Sequence, residues 1–162
     1  MMRRMFSLTA LALVLAGCGD HPPQPGVMGD GWLLAEESDQ ARFQRLEGYL
    51  GGFSRAMWET GYRFEQVHDA VVRENYPLAS YHWGKIRTAI ENGYMKRPGR
   101  RANADALFLD SAWGKLDQAL KDGETTQVKH AYSQARQACM ACHVAEQVPF
   151  MNEMAVLRDS EL

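Results

Sequence analysis

From residue 46 onward, apolar residues recur every three or four positions with polar residues between them, the spacing of a helix with one buried face. Leu46, Leu50, Phe53, Met57, Gly61, Phe64, His68 and Val71 make the first stripe. Gly51 and Gly52 weaken it, so this helix begins late, near Glu47, or bends there. Pro77 ends or restarts it. A second stripe of Ala79, His82 or Trp83, Ile86, Ile90 and Tyr94 predicts a helix from Leu78 to about Tyr94. Lys96, Arg97, Pro98, Gly99, Arg100 and Arg101 follow as a basic loop that complements the end of that helix. Asn103 is the expected N-cap of a third helix, with Asp105 in its first turn. That helix runs through Leu109, Ala112, Trp113, Leu116 and Leu120, and Asp122-Gly123 stops it. Thr125 or Thr126 caps a fourth, whose stripe is Val128, Tyr132, Ala135, Cys139 and Cys142, with Pro149 as its terminator. Four amphipathic helices with short connections predict an all-α fold, an antiparallel four-helix bundle with an interior suited to a cofactor.

Before residue 39 the pattern is lost. His21, Pro22, Pro23, Gln24, Pro25 and Gly26, then Gly29, Asp30 and Gly31, resist regular structure and suggest a tether. Trp32, Leu33 and Leu34 form an apolar patch after it, expected to pack on the domain or meet a membrane surface. At the start, Arg3 and Arg4 precede an apolar run, Met5 to Ala16, too short to span a bilayer. It ends in Leu15-Ala16-Gly17-Cys18, which resembles the lipobox of bacterial lipoproteins. The resemblance implies cleavage before Cys18 and acylation of its thiol. An ordinary export signal with a free Cys18 is the alternative. The expected layout is a signal peptide over 1–17, a lipid-anchored tether over 18–38 and a helical domain over 39–162, on the periplasmic side of a bacterial membrane. Removing residues 1–17 takes the formal charge from −2 to about −4. With no basic stripe, nucleic acid is not an expected partner.

The candidate chemistry is concentrated at Cys139-Met140-Ala141-Cys142-His143. C-x-x-C-H is the attachment spacing of c-type haem. On a helix Cys139, Cys142 and His143 stand at i, i+3 and i+4, so two sulfur anchors and one iron ligand face one side of a flat macrocycle. A redox dithiol usually accompanies a βαβ pattern, which is missing here. A zinc site needs about four ligands, and no second paired spacing supplies them. A disulfide alone gives His143 no role. Haem c, one per chain and covalent, is the favoured cofactor.

The motif on the last helix, near the C-terminus, resembles the cytochrome c′ group of exported four-helix haem proteins, over about Arg42 to Phe150. Those proteins commonly carry an aromatic and a basic residue a few positions after the histidine. The run Val144-Ala145-Glu146-Gln147-Val148-Pro149-Phe150 lacks the basic one, which suggests a divergent branch. The resemblance implies that His143 is the axial ligand and that the opposite iron face looks toward the first helix. Met57, about three turns into that helix, is the candidate sixth ligand, with Phe53 or another apolar neighbour as the alternative cover. His68 lies about 16 Å further along at 1.5 Å per residue. His68 and His82 are expected as core or boundary histidines, and His130 as a solvated one. Met140 is expected to point away, and nothing in the spacing asks Met151 or Met154 to fold back.

Trp58, Trp83, Trp113, Tyr49, Tyr62, Tyr81, Tyr94 and Tyr132 are expected in the pocket or between helices. Arg63, Lys85, Arg87 and Arg136 are the basic residues considered as propionate partners. These features favour a membrane-tethered electron carrier. A five-coordinate haem protein binding nitric oxide or carbon monoxide, and an accessory haem subunit of a respiratory complex, are the alternatives. No nucleophile–base pair or carboxylate dyad at meaningful spacing suggests an enzyme. The redox partner is not identified by the sequence, and homodimerisation is left open.

Overall fold

The computed structural model describes residues 31–160 and residue 162. The expected signal peptide, Cys18, His21 and the tether as far as residue 30 lie outside the described residues. Within the described residues every regular element is helical, and no helix is long and apolar enough to cross a membrane.

The first expected helix is two helices, α1 (Asp39–Leu50) and α2 (Phe53–Val72). Ser38 caps α1 by accepting the Ala41 N–H at 3.2 Å. Gly51, at φ 67°, closes it by donating its N–H to Glu47 and Gly48. That reversal takes Leu46 and Leu50 off the core stripe: α1 buries no residue, and Leu50 is exposed. Trp32 packs on α1 through the Tyr49 ring, 5.6 Å away.

Helix α2 ends in a left-handed residue that is not glycine. Glu74 has φ 55°, and the Asn75 N–H reaches back to the Ala70 carbonyl at 2.8 Å. This six-to-one bond is the Schellman closure. Asn75 then caps α3 (Tyr76–Lys96) by accepting the Leu78 N–H at 3.2 Å, with Pro77 in the first turn where no helical N–H is missed. At the far end of this pair Gly93 allows close contact: a Cβ there would fall 2.7 Å from the Phe53 ring and 3.0 Å from the Ala56 methyl.

The third expected helix is also divided. A 3₁₀ turn, Pro98–Arg100, leads into α4 (Arg101–Ala104), then a π-helical stretch (Asp105–Leu109), then α5 (Ala112–Asp122). Asn103 therefore lies inside a helix and caps nothing. The Asp110 N–H bonds the Asp105 carbonyl five residues back at 2.9 Å. Arg87 donates to the Leu109 carbonyl at 3.2 Å, and its guanidinium lies 4.2 Å from the Trp113 ring. Trp83 and Trp113 stack at 6.2 Å, and each indole N–H donates to the other's backbone carbonyl, at 3.0 and 3.3 Å. Gly123, left-handed at φ 76°, stops α5 as the sequence suggested.

Helix α6 (Thr125–Ala145) follows. Glu124 holds the cap position without a side-chain bond; Thr125 instead pairs its hydroxyl with that of Tyr76 at 2.8 Å. After α6 come a 3₁₀ turn, Pro149–Glu153, and the short α7 (Ala155–Arg158). The tail folds back along α6, where Arg136 donates to the Leu157 and Arg158 carbonyls and Leu157 joins the core.

Two ends emerge from these contacts. Glu74, Tyr76, Gly123 and Thr125 share one, through the Tyr76–Thr125 and Thr125–Glu74 bonds and the approach of Gly123 to Tyr76. Phe53, Gly93, Arg100 and Glu146 lie toward the other. Residues of α2, α3, 101–122 and α6 thus run alternately between the ends. Trp83, Tyr132, Ile86, Leu116, Val67, Val71 and Val128 are fully buried between them. At roughly 1.5–3 kcal/mol for each large side chain removed from water, this cluster dominates cohesion.

Candidate functional site

Because α6 is regular through Ala145, Cys139, Cys142 and His143 fall on its last two turns as i, i+3 and i+4 neighbours. Both cysteines are free thiols, half-buried and packed against the core. Burial pushes the Cys139 thiol up to about 12, and the nearby Cys142 adds to the push. Burial also raises Cys142, with the Arg100 guanidinium pulling the other way. Both sulfurs are therefore held as neutral thiols.

The histidine is fixed by the chain beyond the helix. Gln147, at φ 61°, takes the left-handed position after α6, and the Val148 N–H caps the His143 carbonyl at 2.9 Å. Pro149 starts the 3₁₀ turn that carries Asn152 back to the imidazole, where the Asn152 Oδ1 lies 2.8 Å from His143 Nδ1. Asn152 also donates to the Met140 carbonyl at 3.2 Å.

Glu146 joins the end of α6 to the preceding loop. Its carboxylate accepts from Arg100 and, at 2.7 Å, from Asn103 Nδ2; Arg100 also donates to the Glu146 carbonyl at 3.2 Å. Tyr132, fully buried two helical turns before Cys139, stacks on Phe64 at 4.9 Å and lies 5.9 Å from the His68 ring. Its hydroxyl makes no hydrogen bond of normal geometry. Burial pushes its phenol far above the usual range, with Ser160 partly offsetting the push.

The other expected residues divide clearly. Met57 is half-buried against the core, toward the same end as the motif. Phe53 is turned to Gly93 and stacks on Tyr94 at 6.5 Å. His68 packs on Tyr132, and His130 is exposed and bonded to Gln134 at 3.0 Å. His82 is buried, its Nδ1 3.3 Å from Arg63. Met140 does not point away: it is half-buried on the core, because the tail returns along α6. The tail does fold back, yet Met151 and Met154 remain exposed.

Of the aromatic set, Trp83 and Tyr132 are interior, while Tyr49, Trp58, Tyr62 and Tyr81 are exposed. The four basic residues considered for propionates are engaged elsewhere. Arg63 holds His82 and Glu59, Lys85 lies over Tyr81, Arg87 holds the Leu109 carbonyl, and Arg136 holds the tail. The cation beside the motif is Arg100, which sequence reasoning left in a basic loop. Asn152 was missed as well. Neither carries a periodic signal, since one lies far upstream and the other follows a chain reversal.

Among the described residues no three His, Cys, Asp or Glu side chains form a cage for a bare metal ion. The donor set present suits a haem: two neutral thiols on one helix face, and an imidazole held by one nitrogen only. Val144, Phe150, Met151 and Met154 leave apolar surface uncovered just beyond the motif. No family model, curated protein or solved structure matches this chain.

Proposed function

We propose that the chain is a monohaem c-type cytochrome, an antiparallel four-helix bundle passing single electrons on the periplasmic side of a bacterial membrane. One covalent haem is held by Cys139, Cys142 and His143, and a lipid at Cys18 tethers the domain. The observation that carries this reading is the geometry of the motif: two free cysteines side by side on the last turns of α6, with the adjacent His143 bonded through Nδ1.

Each residue then has a defined task. Cys139 and Cys142 would hold the haem, each adding across a vinyl group, sulfur to one carbon and the thiol hydrogen to the next, so that no oxidant would be needed. His143 would offer Nε2 to the iron, and Met57 would offer its thioether as a second donor. The haem, when bound, supplies the one-electron iron couple, and the protein tunes it through ligation, burial and access. That Met57 already packs on the core favours a second reading, in which its sulfur stays there and the open iron face takes nitric oxide or carbon monoxide.

The test is maturation of the full chain in a haem-ligating bacterium, followed by spectroscopy with and without carbon monoxide. Covalent haem at the pentapeptide and a six-coordinate spectrum that becomes five-coordinate in Met57→Ala are expected. Rapid carbon monoxide binding by the wild-type ferrous protein would replace the carrier with the gas binder. Loss of attached haem in neither Cys139→Ala nor Cys142→Ala would remove both.

A further inference from the structure

The turn after α6 makes an assignment possible that the pentapeptide alone does not. Asn152 is half-buried and uses both ends of its amide. One end faces the Met140 carbonyl at 3.2 Å. A carbonyl oxygen only accepts, so the NH₂ group must point there. The amide oxygen is thereby committed to His143 Nδ1, 2.8 Å away. An amide oxygen also only accepts, so Nδ1 must carry the ring proton. In a neutral imidazole the second nitrogen, Nε2, then holds the lone pair. The backbone fixes the geometry from below, since the Val148 N–H bonds the His143 carbonyl at 2.9 Å. One residue, His143, is thus gripped at its backbone and at its ring by the same returning segment.

We propose that Asn152 is a positioning residue for His143: it selects the Nδ1–H tautomer, fixes the ring plane and presents Nε2 to the haem iron. Given the cytochrome reading, on which this rests, a ring N–H donated to a fixed acceptor also makes the opposite nitrogen a stronger donor. Asn152 touches neither iron nor porphyrin in this role and acts only through the imidazole. The returning tail is then part of the iron site and not merely a cover for α6.

Three full-length chains test this: wild type, Asn152→Leu, which removes the acceptor at similar size, and Asn152→Asp, which keeps an acceptor and adds charge. In chains made without haem, ¹⁵N spectra of the neutral His143 ring should show the Nδ1–H form in wild type and its loss in Asn152→Leu. In matured chains that also carry Met57→Ala, where the ferrous iron is five-coordinate and its histidine stretch can be seen, that stretch should move down and the midpoint potential up in Asn152→Leu. Asn152→Asp should move both the other way. A purely structural Asn152 would lower thermal stability while leaving tautomer, stretch and potential at wild-type values, and that result overturns the proposal. Wild type that acquires no covalent haem would defeat the cytochrome reading instead, and the ¹⁵N measurement would still decide whether Asn152 sets the ring.

Discussion

His82 shows how a single side chain ties this fold to pH. It is buried on α3, with Arg63 donating to its Nδ1 at 3.3 Å and the Tyr81 ring edge-on at 5.2 Å. Burial, and then the Arg63 charge, holds its pKa below the usual 6.5. The unfolded chain takes up a proton near 6.5 while the folded chain resists, so stability is full above that pH and falls as pH drops below it. The loss levels off beneath the folded value. Wild type should therefore lose more thermal stability between pH 7 and pH 5 than His82→Gln; equal losses would show that His82 does not carry the effect. The pattern of apolar residues placed His82 on the core stripe, but nothing in it announced Arg63, nineteen residues upstream. The same holds for Asn152. Periodicity reports which face a residue takes, while a hydrogen-bond partner across a turn depends on where the chain comes back.

Helix boundaries were legible where glycine or proline marks them and obscure where another residue adopts the same conformation. Gly123 was read correctly, and Pro77 and Pro149 bound their helices as expected. Glu74 and Gln147 take the left-handed position without glycine, so both closures were invisible. The π-helical stretch at Asp105–Leu109 was equally hidden, since Leu109, Ala112 and Leu116 keep helical spacing on either side of it. A non-glycine residue in that conformation costs roughly 1–2 kcal/mol, part of which glycine would lose again to unfolded-chain entropy. Gln147→Gly should accordingly raise unfolding stability by about 0.5–1 kcal/mol in denaturant titration. An unchanged or lower midpoint would mean that the Gln147 side chain contributes something the backbone does not.

At the scale of the molecule, all-helical character and the core row of α6 followed from spacing, whereas the joining of the motif to a distant loop did not. Glu146 makes that joint by holding Arg100 and Asn103, more than forty residues earlier. Its side chain is only 14 % exposed but that of Arg100 is 40 % exposed, so water screens the pair and each bond contributes less than the roughly 1.5–3 kcal/mol of a sheltered charged hydrogen bond. Glu146→Ala should lower the melting temperature distinctly more than Glu65→Ala, a change at an exposed site on α2; equal behaviour would mean the joint is incidental. The Asn152 contact also sets where the chain can be shortened without loss: a stop between Val148 and Met151 would leave the pentapeptide whole and strip the imidazole of its Asn152 partner, nine residues further on.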